Sequence, residues 1–596
     1  MKRVLVTTSD IRTWPEKQPV CFLGRWCCLQ NQQHQWESLD AVVAPYHWDD
    51  RNRYQRDTVY LQDLYERLLP LIANVLNAHH QVTHGLRYWR ILVGPWLYMF
   101  LHTLFDRWAT VKAAVEQYEI DHTIILNHPV EDMIPADLKD VNPDSIDWNH
   151  FLFGQAIKHS GAIPWIDKPL NGMSDRSIQS KPDAFTKVGK SRALRILRAG
   201  LALFTRNNEP LIIASYLPRK EQIKLQLMLG MVPKLWAIPQ NERTPPDLRL
   251  RESLKIQMDA GDPFSQFACS MVSKQIPSVY LEGYQALSLA VEELPWPSNP
   301  KFVFTSNLFF FCEPFQAWAG KKAEAGVPLI FGQHGGLLGV GAWVPGEDHQ
   351  VQISDRYLTW GWQDERPQPY PVAIFTVVNK PKRVWDPQGG ILLVTVSMRI
   401  YSYKSNSWPV GPNQSESFVQ RQIDLVEALP QAIRNDLVVR IHARVDWRMN
   451  SFYVDRWKAT FPEVKIDDST QPIDTVLRQC RLFLYTYNST GFLETLSRDI
   501  PTLIYWDPQY WELRSSALPY FEKLKDVGIF HDTPQSAAAH IQAIWDDVTQ
   551  WWQQPEVQEV RRQFCEQYAR MPSNPLKVLK QALLSARSHT GHAASR

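Results

Sequence analysis

Short, almost wholly apolar runs recur along this chain, each followed by a stretch of helical character, and that alternation constrains the fold more than any other feature. In the first part the runs are Arg3–Val6, Thr123–Leu126, Leu211–Ser215, Leu235–Ile238, Phe302–Thr305 and Leu329–Phe331. Runs that are apolar at nearly every position suit strands covered on both faces, which is the situation inside a parallel sheet. Between the last two runs, Phe315–Ala325 collects good helix formers and Gly326 stops it. Strand, helix, Gly-Val-Pro, strand is a βαβ unit, so the expected class is α/β with open, doubly wound sheets. A second series runs through Ile391–Val396, Leu437–Ile441, Val464–Ile466, Leu482–Tyr485 and Thr502–Ile504, with helical Phe418–Leu429 and Ile473–Cys480 between them.

A chain of 596 residues exceeds what one core supports. The text around 368–390 changes character, with Pro369, Pro371, Pro381 and Pro387 ahead of Gly389-Gly390, and reads as a connection between domains. The expected division is therefore a Rossmann-like domain with helical insertions over 1–370, a linker over 371–390, and a second Rossmann-like domain over 391–575. A helix end and frayed tail close the chain over 576–596. The apolar piece Val372–Val378 inside the linker could form a short strand.

Composition removes several classes of function. Lys plus Arg number 64 against 62 for Asp plus Glu, a balance unsuited to binding a nucleic-acid backbone. The basic run from Lys181 to Arg198 reads as a solvated helix or linker, with anionic lipid head groups as its other partner. Seven scattered cysteines offer neither metal-ligand spacing nor a disulfide framework, which fits a reducing cytoplasm. No G-x-G-x-x-G follows the first run, so a nicotinamide or flavin cofactor lacks its signature, and no cofactor is expected. The stretch Ile91–Phe105 is shorter than the ~20 apolar residues of a membrane span and reads as a buried helix, with peripheral membrane contact as the alternative. Trp is abundant, at 24 copies, as large cores or sugar-stacking surfaces require.

Chemistry-bearing residues gather just after expected strands, the edge where open α/β sheets bind ligands. In Tyr485-Thr486-Tyr487-Asn488-Ser489-Thr490-Gly491-Phe492-Leu493-Glu494, a strand gives way to a turn of small polar residues and then a helix. The helix N-terminus could hold a phosphate, with Asn488, Ser489 and Thr490 adding polar groups and Glu494 accepting from a ribose or sugar hydroxyl; an ordinary helix cap is the plainer reading. Arg440 and His442 share one face of a strand by the period of two and could neutralise a leaving phosphate, or form an interior ion pair. Ser397 opens the first loop of the second domain. In Phe331-Gly332-Gln333-His334-Gly335-Gly336, His334 follows a strand and suits a general base. Glu347, Asp49 and Asp50 are further candidate bases, with Trp48 as a sugar platform. No metal-ligand motif stands in a convincing context; Asp467-Asp468 lacks a third partner.

QHGG after a strand, SDRYLTWGW, VRIHA and YNSTGFLET together resemble GT-B glycosyltransferases of bacterial capsule, lipopolysaccharide and sialic-acid assembly. Over nearly the full length, including LGRWC, YHWDDR and YWRILVGPW, the chain also resembles a family of transferases encoded with surface-polysaccharide and nonulosonic-acid genes. The resemblance implies a cleft between an acceptor-side and a nucleotide-sugar domain. It also implies metal-independent transfer of a sugar, such as a sialic-acid or Kdo-type nonulosonic acid, inversion at the anomeric carbon, and a glycan or lipid-linked glycan acceptor. It implies a cytoplasmic protein, peripheral on the inner face of the inner membrane if it touches one. Two departures stand out. His442 is followed by Ala443 rather than the Pro of sialyl- and Kdo-transferases, while Ser489-Thr490 matches their second pair; Glu347-Asp348-His349 and Asp49-Asp50-Arg51 both depart from their acidic base motif. A sugar-nucleotide epimerase, a polyol-phosphate transferase and a non-catalytic carbohydrate-binding protein are the alternatives on the same fold.

Overall fold

The computed structural model describes residues 1–170, 205–258, 261–396, 400–401, 410–442, 447–467, 469 and 471–586. Every strand pairing within them is parallel, apart from one isolated antiparallel bridge between Gly341 and Leu513. The strands form three sheets rather than two.

The first sheet holds β1 (Arg3–Val6), β2 (Val20–Phe22), β3 (Ala41–Val43), β4 (Ile120–Asn127) and β5 (Trp165–Pro169), in the order β3-β2-β1-β4-β5. The second holds β6 (Leu211–Ile212), β7 (Val303–Thr305), β8 (Leu329–Gly332), β9 (Arg356–Thr359) and β10 (Pro369–Pro371), in simple sequential order. The third holds β11 (Gly390–Val396), β12 (Leu437–His442), β13 (Lys465–Asp467), β14 (Cys480–Tyr485), β15 (Thr502–Tyr505) and β16 (Phe530–His531). Its order, β13-β12-β11-β14-β15-β16, is the 3-2-1-4-5-6 arrangement of a Rossmann sheet. The α/β class expected from the apolar runs is the class observed.

The stretch 1–370 thus carries two sheets, a finer division than one Rossmann-like domain. One expected strand, and the short strand left open within the linker, are absent. Leu235–Ile238 lies in a segment without regular structure, between Pro233 and Pro239, and Val372–Val378 becomes a single 3-10 turn, Phe375–Val377. The basic run Lys181–Arg198 lies outside the described residues.

The apolar stretch Ile91–Phe105 is divided between the helices Leu86–Leu92 and Gly94–Gln117 and is buried, Leu97, Leu101 and Leu104 completely. Among the described residues no helix is long and apolar enough to cross a membrane. The last helices return to the second sheet. The Arg570 N–H donates to the Trp360 carbonyl (2.7 Å), and Arg356 Nη1 donates to the Ala582 carbonyl (2.7 Å) at the end of the helix Pro575–Leu584.

The three units meet at one junction. Arg51, which opens the helix Arg51–His80, makes a two-pronged pair with Glu512 (2.6 and 2.8 Å), while Arg514 reaches Glu347 (2.9 Å). Bidentate geometry and partial burial make such pairs worth more than the isolated surface ion pair.

Candidate active site

A sheet that reverses its strand order leaves a crevice outside the carboxyl ends of the two strands where the reversal occurs. In the third sheet those strands are β11 and β14. The turn after β14, Thr486–Ser489, leads straight into the helix Thr490–Ser497 at that position. Ser489 occupies the N-cap in an extended conformation, yet its side chain makes no capping bond, so the first N–H groups of the helix keep their donor capacity toward the crevice.

Asn488 is 4% exposed, and neither its amide oxygen nor its amide nitrogen meets a hydrogen-bonding partner. A buried, unpaired carboxamide costs on the order of 1–3 kcal/mol, so a position of this kind is maintained for something other than stability. Ser489 is buried beside the Tyr487 phenol, whose own ionisation burial pushes up to about 12. Glu494, one helical turn on, is half-buried, and desolvation raises its carboxyl above the ordinary range against the opposing pull of Thr376, Lys380 and Arg498.

The loop after β8 in the second sheet comes directly onto this turn. The Gly336 N–H donates to Thr490 Oγ1 (3.1 Å), and a Cβ at Gly336 would collide with the Ser489 carbonyl oxygen, so only glycine permits the approach. At Gly335, by contrast, a Cβ would meet nothing within 4 Å. His334, two residues before Gly336, is half-buried with its ring 5.7 Å from Phe310, 6.0 Å from Phe309 and 6.1 Å from Tyr216. The sequence therefore brings His334, Asn488, Ser489, Thr490 and Glu494 to one locality.

The remaining expected site residues are placed differently. Arg440 stands in the same row of the sheet as Val394 and Tyr485, but its guanidinium is committed to Asp467 on β13 (2.6 Å) and to the Gln471 carbonyl (2.8 Å). That is the interior ion pair, with Arg440 and Asp467 in direct register. His442 ends β12, opposite Val396, which puts its backbone at the crevice edge; its side chain lies outside the described residues, as does the whole of Ser397.

The carboxylates expected as bases are engaged elsewhere. Glu347 is 2% exposed, accepts from the Gly339 N–H (2.6 Å) and is clamped by Arg366 (2.8 Å) and Arg514 (2.9 Å), so it anchors a loop rather than facing a substrate. Asp50 caps the helix Arg51–His80, accepting from the Asn52 and Arg53 N–H groups (3.0 and 3.2 Å). Asp49 accepts from Gln414 Nε2 (2.9 Å) on the third unit. Trp48 is 2% exposed and packs on Phe105 and Tyr54, a core residue rather than a sugar platform. No cluster of three His, Cys, Asp or Glu side chains suited to a metal ion occurs among the described residues.

A family model described as LIC12162 family transferase matches residues 3–583. The chain belongs to the LIC12162 transferase family. No curated protein matches this LIC12162 transferase by sequence. Among solved structures it is similar to the spinosyn rhamnosyltransferase SpnG (13% identity, TM-score 0.30, 51% of this chain and 76% of that one). It is also similar to MurG of Acinetobacter baumannii (9%, 0.33, 63% and 99%) and to the glycosyltransferase SnogD of Streptomyces nogalater (13%, 0.32, 63% and 99%).

Two features of the LIC12162 transferase site escape a reading of the sequence. Gln333, completely buried, donates through Nε2 to the Gly335 and Leu338 carbonyls (2.9 and 3.1 Å) and accepts at Oε1 from the Trp360 N–H and Trp362 Nε1 (2.9 and 2.8 Å). It thereby sets the path of the loop that carries His334 to Gly336. The other is the Glu347–Arg514 contact, which ties that loop to the third unit across 167 residues of sequence. Four Gln333 partners spread from 335 to 362 leave no local pattern; only the position of a polar residue within QHGG hinted at it.

Proposed function

We propose that this protein is a glycosyltransferase whose nucleotide-activated donor binds in the crevice between β11 and β14. The observation that carries this reading is the buried Asn488 carboxamide, without a partner, in a turn that opens an uncapped helix at the strand-order reversal of a Rossmann sheet. The helix N–H groups take the diphosphate or phosphate, Asn488 and Ser489 hydrogen-bond it, and Glu494 accepts from a ribose or sugar hydroxyl. His334, on the facing loop, accepts the proton of the acceptor hydroxyl as that oxygen attacks the anomeric carbon with inversion, and the nucleotide leaves with the bonding electrons.

On this reading the departing phosphate is stabilised by the helix N-terminus and needs no metal. The sugar is of nonulosonic-acid type and the acceptor is a surface glycan or lipid-linked glycan, met on the cytoplasmic side of the membrane. Packing of three units around the crevice would limit access of water and so wasteful hydrolysis.

A thermal-shift panel of CMP-, UDP-, GDP- and dTDP-sugars tests the donor site. One nucleotide class should raise the melting temperature, and Asn488→Ala should shrink that rise while leaving the unliganded melting temperature in place. Turnover should persist in EDTA. Absence of any shift would remove the reading; conversion of the donor without an acceptor would make the protein an epimerase.

A further inference from the structure

The first sheet also reverses its strand order, between β1 and β4, and so has a crevice of its own outside the ends of those strands. The second sheet, in simple sequential order, has none. Thr7-Thr8-Ser9-Asp10 follows β1 and His128 follows β4, while the helix Ile146–Ser160 carries Asp147 and His150 to the same edge. Most of these groups are committed. His150 accepts at Nε2 from the Leu126 N–H (2.9 Å), which leaves Nδ1 as the donor to Thr7 Oγ1 (2.9 Å). Asp10 takes a two-pronged contact from Arg12 (3.0 and 2.6 Å).

Two groups are not committed. The His128 side chain has no exposed surface, and neither ring nitrogen has a hydrogen-bonding partner; its Nε2 stands 3.8 Å from Asp147 Oδ1, too far for a bond. The Ser9 hydroxyl, in a residue 1% exposed, likewise has none. An imidazole and a hydroxyl, each buried and unpaired, thus follow the two adjacent strands of a strand-order reversal, which repeats the feature that marks the β11–β14 crevice.

The third unit reaches the same edge. Tyr401, five residues past the end of β11, rests its ring 5.7 Å from Trp26 and 5.5 Å from the Arg107 guanidinium, beside the first sheet.

The surroundings restrict the ligand. Asp10 and Asp147 face Arg12 here, and burial holds His128 below its ordinary range and so neutral at pH 7. A phosphate or carboxylate would meet two carboxylates, whereas hydroxyl groups can donate to the carboxylates and to an imidazole nitrogen. Trp14 donates through Nε1 to the Thr8 carbonyl (3.3 Å), which sets a half-buried indole against the turn, a surface suited to the C–H face of a sugar.

We propose that the crevice between β1 and β4 is a second ligand site that takes a neutral, hydroxyl-rich ligand, the acceptor glycan, with Ser9 and His128 hydrogen-bonding its hydroxyls. The word acceptor rests on the transferase reading above; the site and its ligand chemistry do not.

The test is binding of the labelled full-length protein to a printed array of neutral bacterial oligosaccharides, run beside the nucleotide-sugar thermal-shift panel. Wild type should retain a subset of glycans. Ser9→Ala, an isosteric change that keeps the fold, should lower that signal at least tenfold, His128→Leu at least as much, and Asn488→Ala should leave it unchanged. Retention of glycan binding by folded Ser9→Ala, or no neutral glycan held by wild type, overturns the proposal. Nucleotide failure with Ser9-dependent glycan binding would instead remove the transferase reading and leave this site standing.

Discussion

Gln333 and Asn488 are the same functional group in nearly the same setting: a carboxamide, 0% and 4% exposed, just past the end of a buried parallel strand. Gln333 makes four hydrogen bonds and Asn488 makes none. Burial alone therefore does not separate structural polar residues from functional ones. What separates them is whether the protein itself satisfies the group. A satisfied carboxamide fixes a loop, and an unsatisfied one, kept at a cost in stability, implies a ligand that completes it.

Gln333→Ala should give the largest effect. It strands the Trp360 N–H, the Trp362 indole N–H and two carbonyls in the core, and leaves a cavity besides, for a loss of about 3 kcal/mol in urea unfolding. A loss below about 1 kcal/mol would show that the four bonds are dispensable and would break the comparison. Gly336→Ala comes next. Its methyl would meet the Ser489 carbonyl, where backbone stands on both sides, so a cost of about 2 kcal/mol and weaker nucleotide binding are expected. Gly335→Ala is the control: with open space around it, stability should hold, and any fall in nucleotide affinity would map the ligand to that space.

Asn488→Ala sharpens the contrast from the other side. Removing an already unpaired group should leave unfolding free energy within about 1 kcal/mol of wild type, while affinity for the nucleotide class found by thermal shift falls about tenfold, or ~1.4 kcal/mol, in titration calorimetry. Arg440→Ala should cost about 1 kcal/mol of stability, as a partly buried pair with Asp467, and little affinity. A selective fall in turnover would return that cation to the leaving-group machinery.

How much of this was legible follows from where each signal resides. The five apolar runs after residue 390 all became strands: β11, β14 and β15 are largely buried and so mostly apolar, and the single charges in the runs of β12 and the edge strand β13, Arg440 and Lys465, left those runs legible. The first sheet was harder. β2 and β3 are three residues each, and β5 is an exposed edge strand, WIDKP, whose Asp, Lys and Pro suit an edge and disguise a strand. Missing those strands is what merges two sheets into one domain over 1–370. Leu235–Ile238 failed in the opposite sense, an apolar run that two flanking prolines keep out of any ladder. The turn Asn488–Thr490 could be read because strand, turn and helix are contiguous. The commitments of Arg440, Glu347 and Asp49 could not, since each depends on a partner 27, 167 or 365 residues away.

Glu494 carries the smallest prediction and the one most sensitive to pH. Burial raises its carboxyl in the folded protein above the value it has in the unfolded chain, so folding favours the neutral acid. The stabilising contribution of that acid is complete below the unfolded value and is lost as pH rises through the folded one, so at pH 7.5 the ionised group works against the fold. Glu494→Gln, neutral at every pH, should then raise Tm by about 1 °C at pH 7.5 and by nothing near pH 4, in paired thermal scans. The same variant should bind nucleotide more weakly at pH 7.5, since a carboxylate accepts from a ribose diol better than a carboxamide does. An affinity loss without a stability loss is the signature already argued for Asn488; here a charge rather than an unpaired amide produces it, with a small gain in stability besides. A gain in stability with affinity unchanged would confine Glu494 to the fold and leave the turn before it as the whole of the donor site.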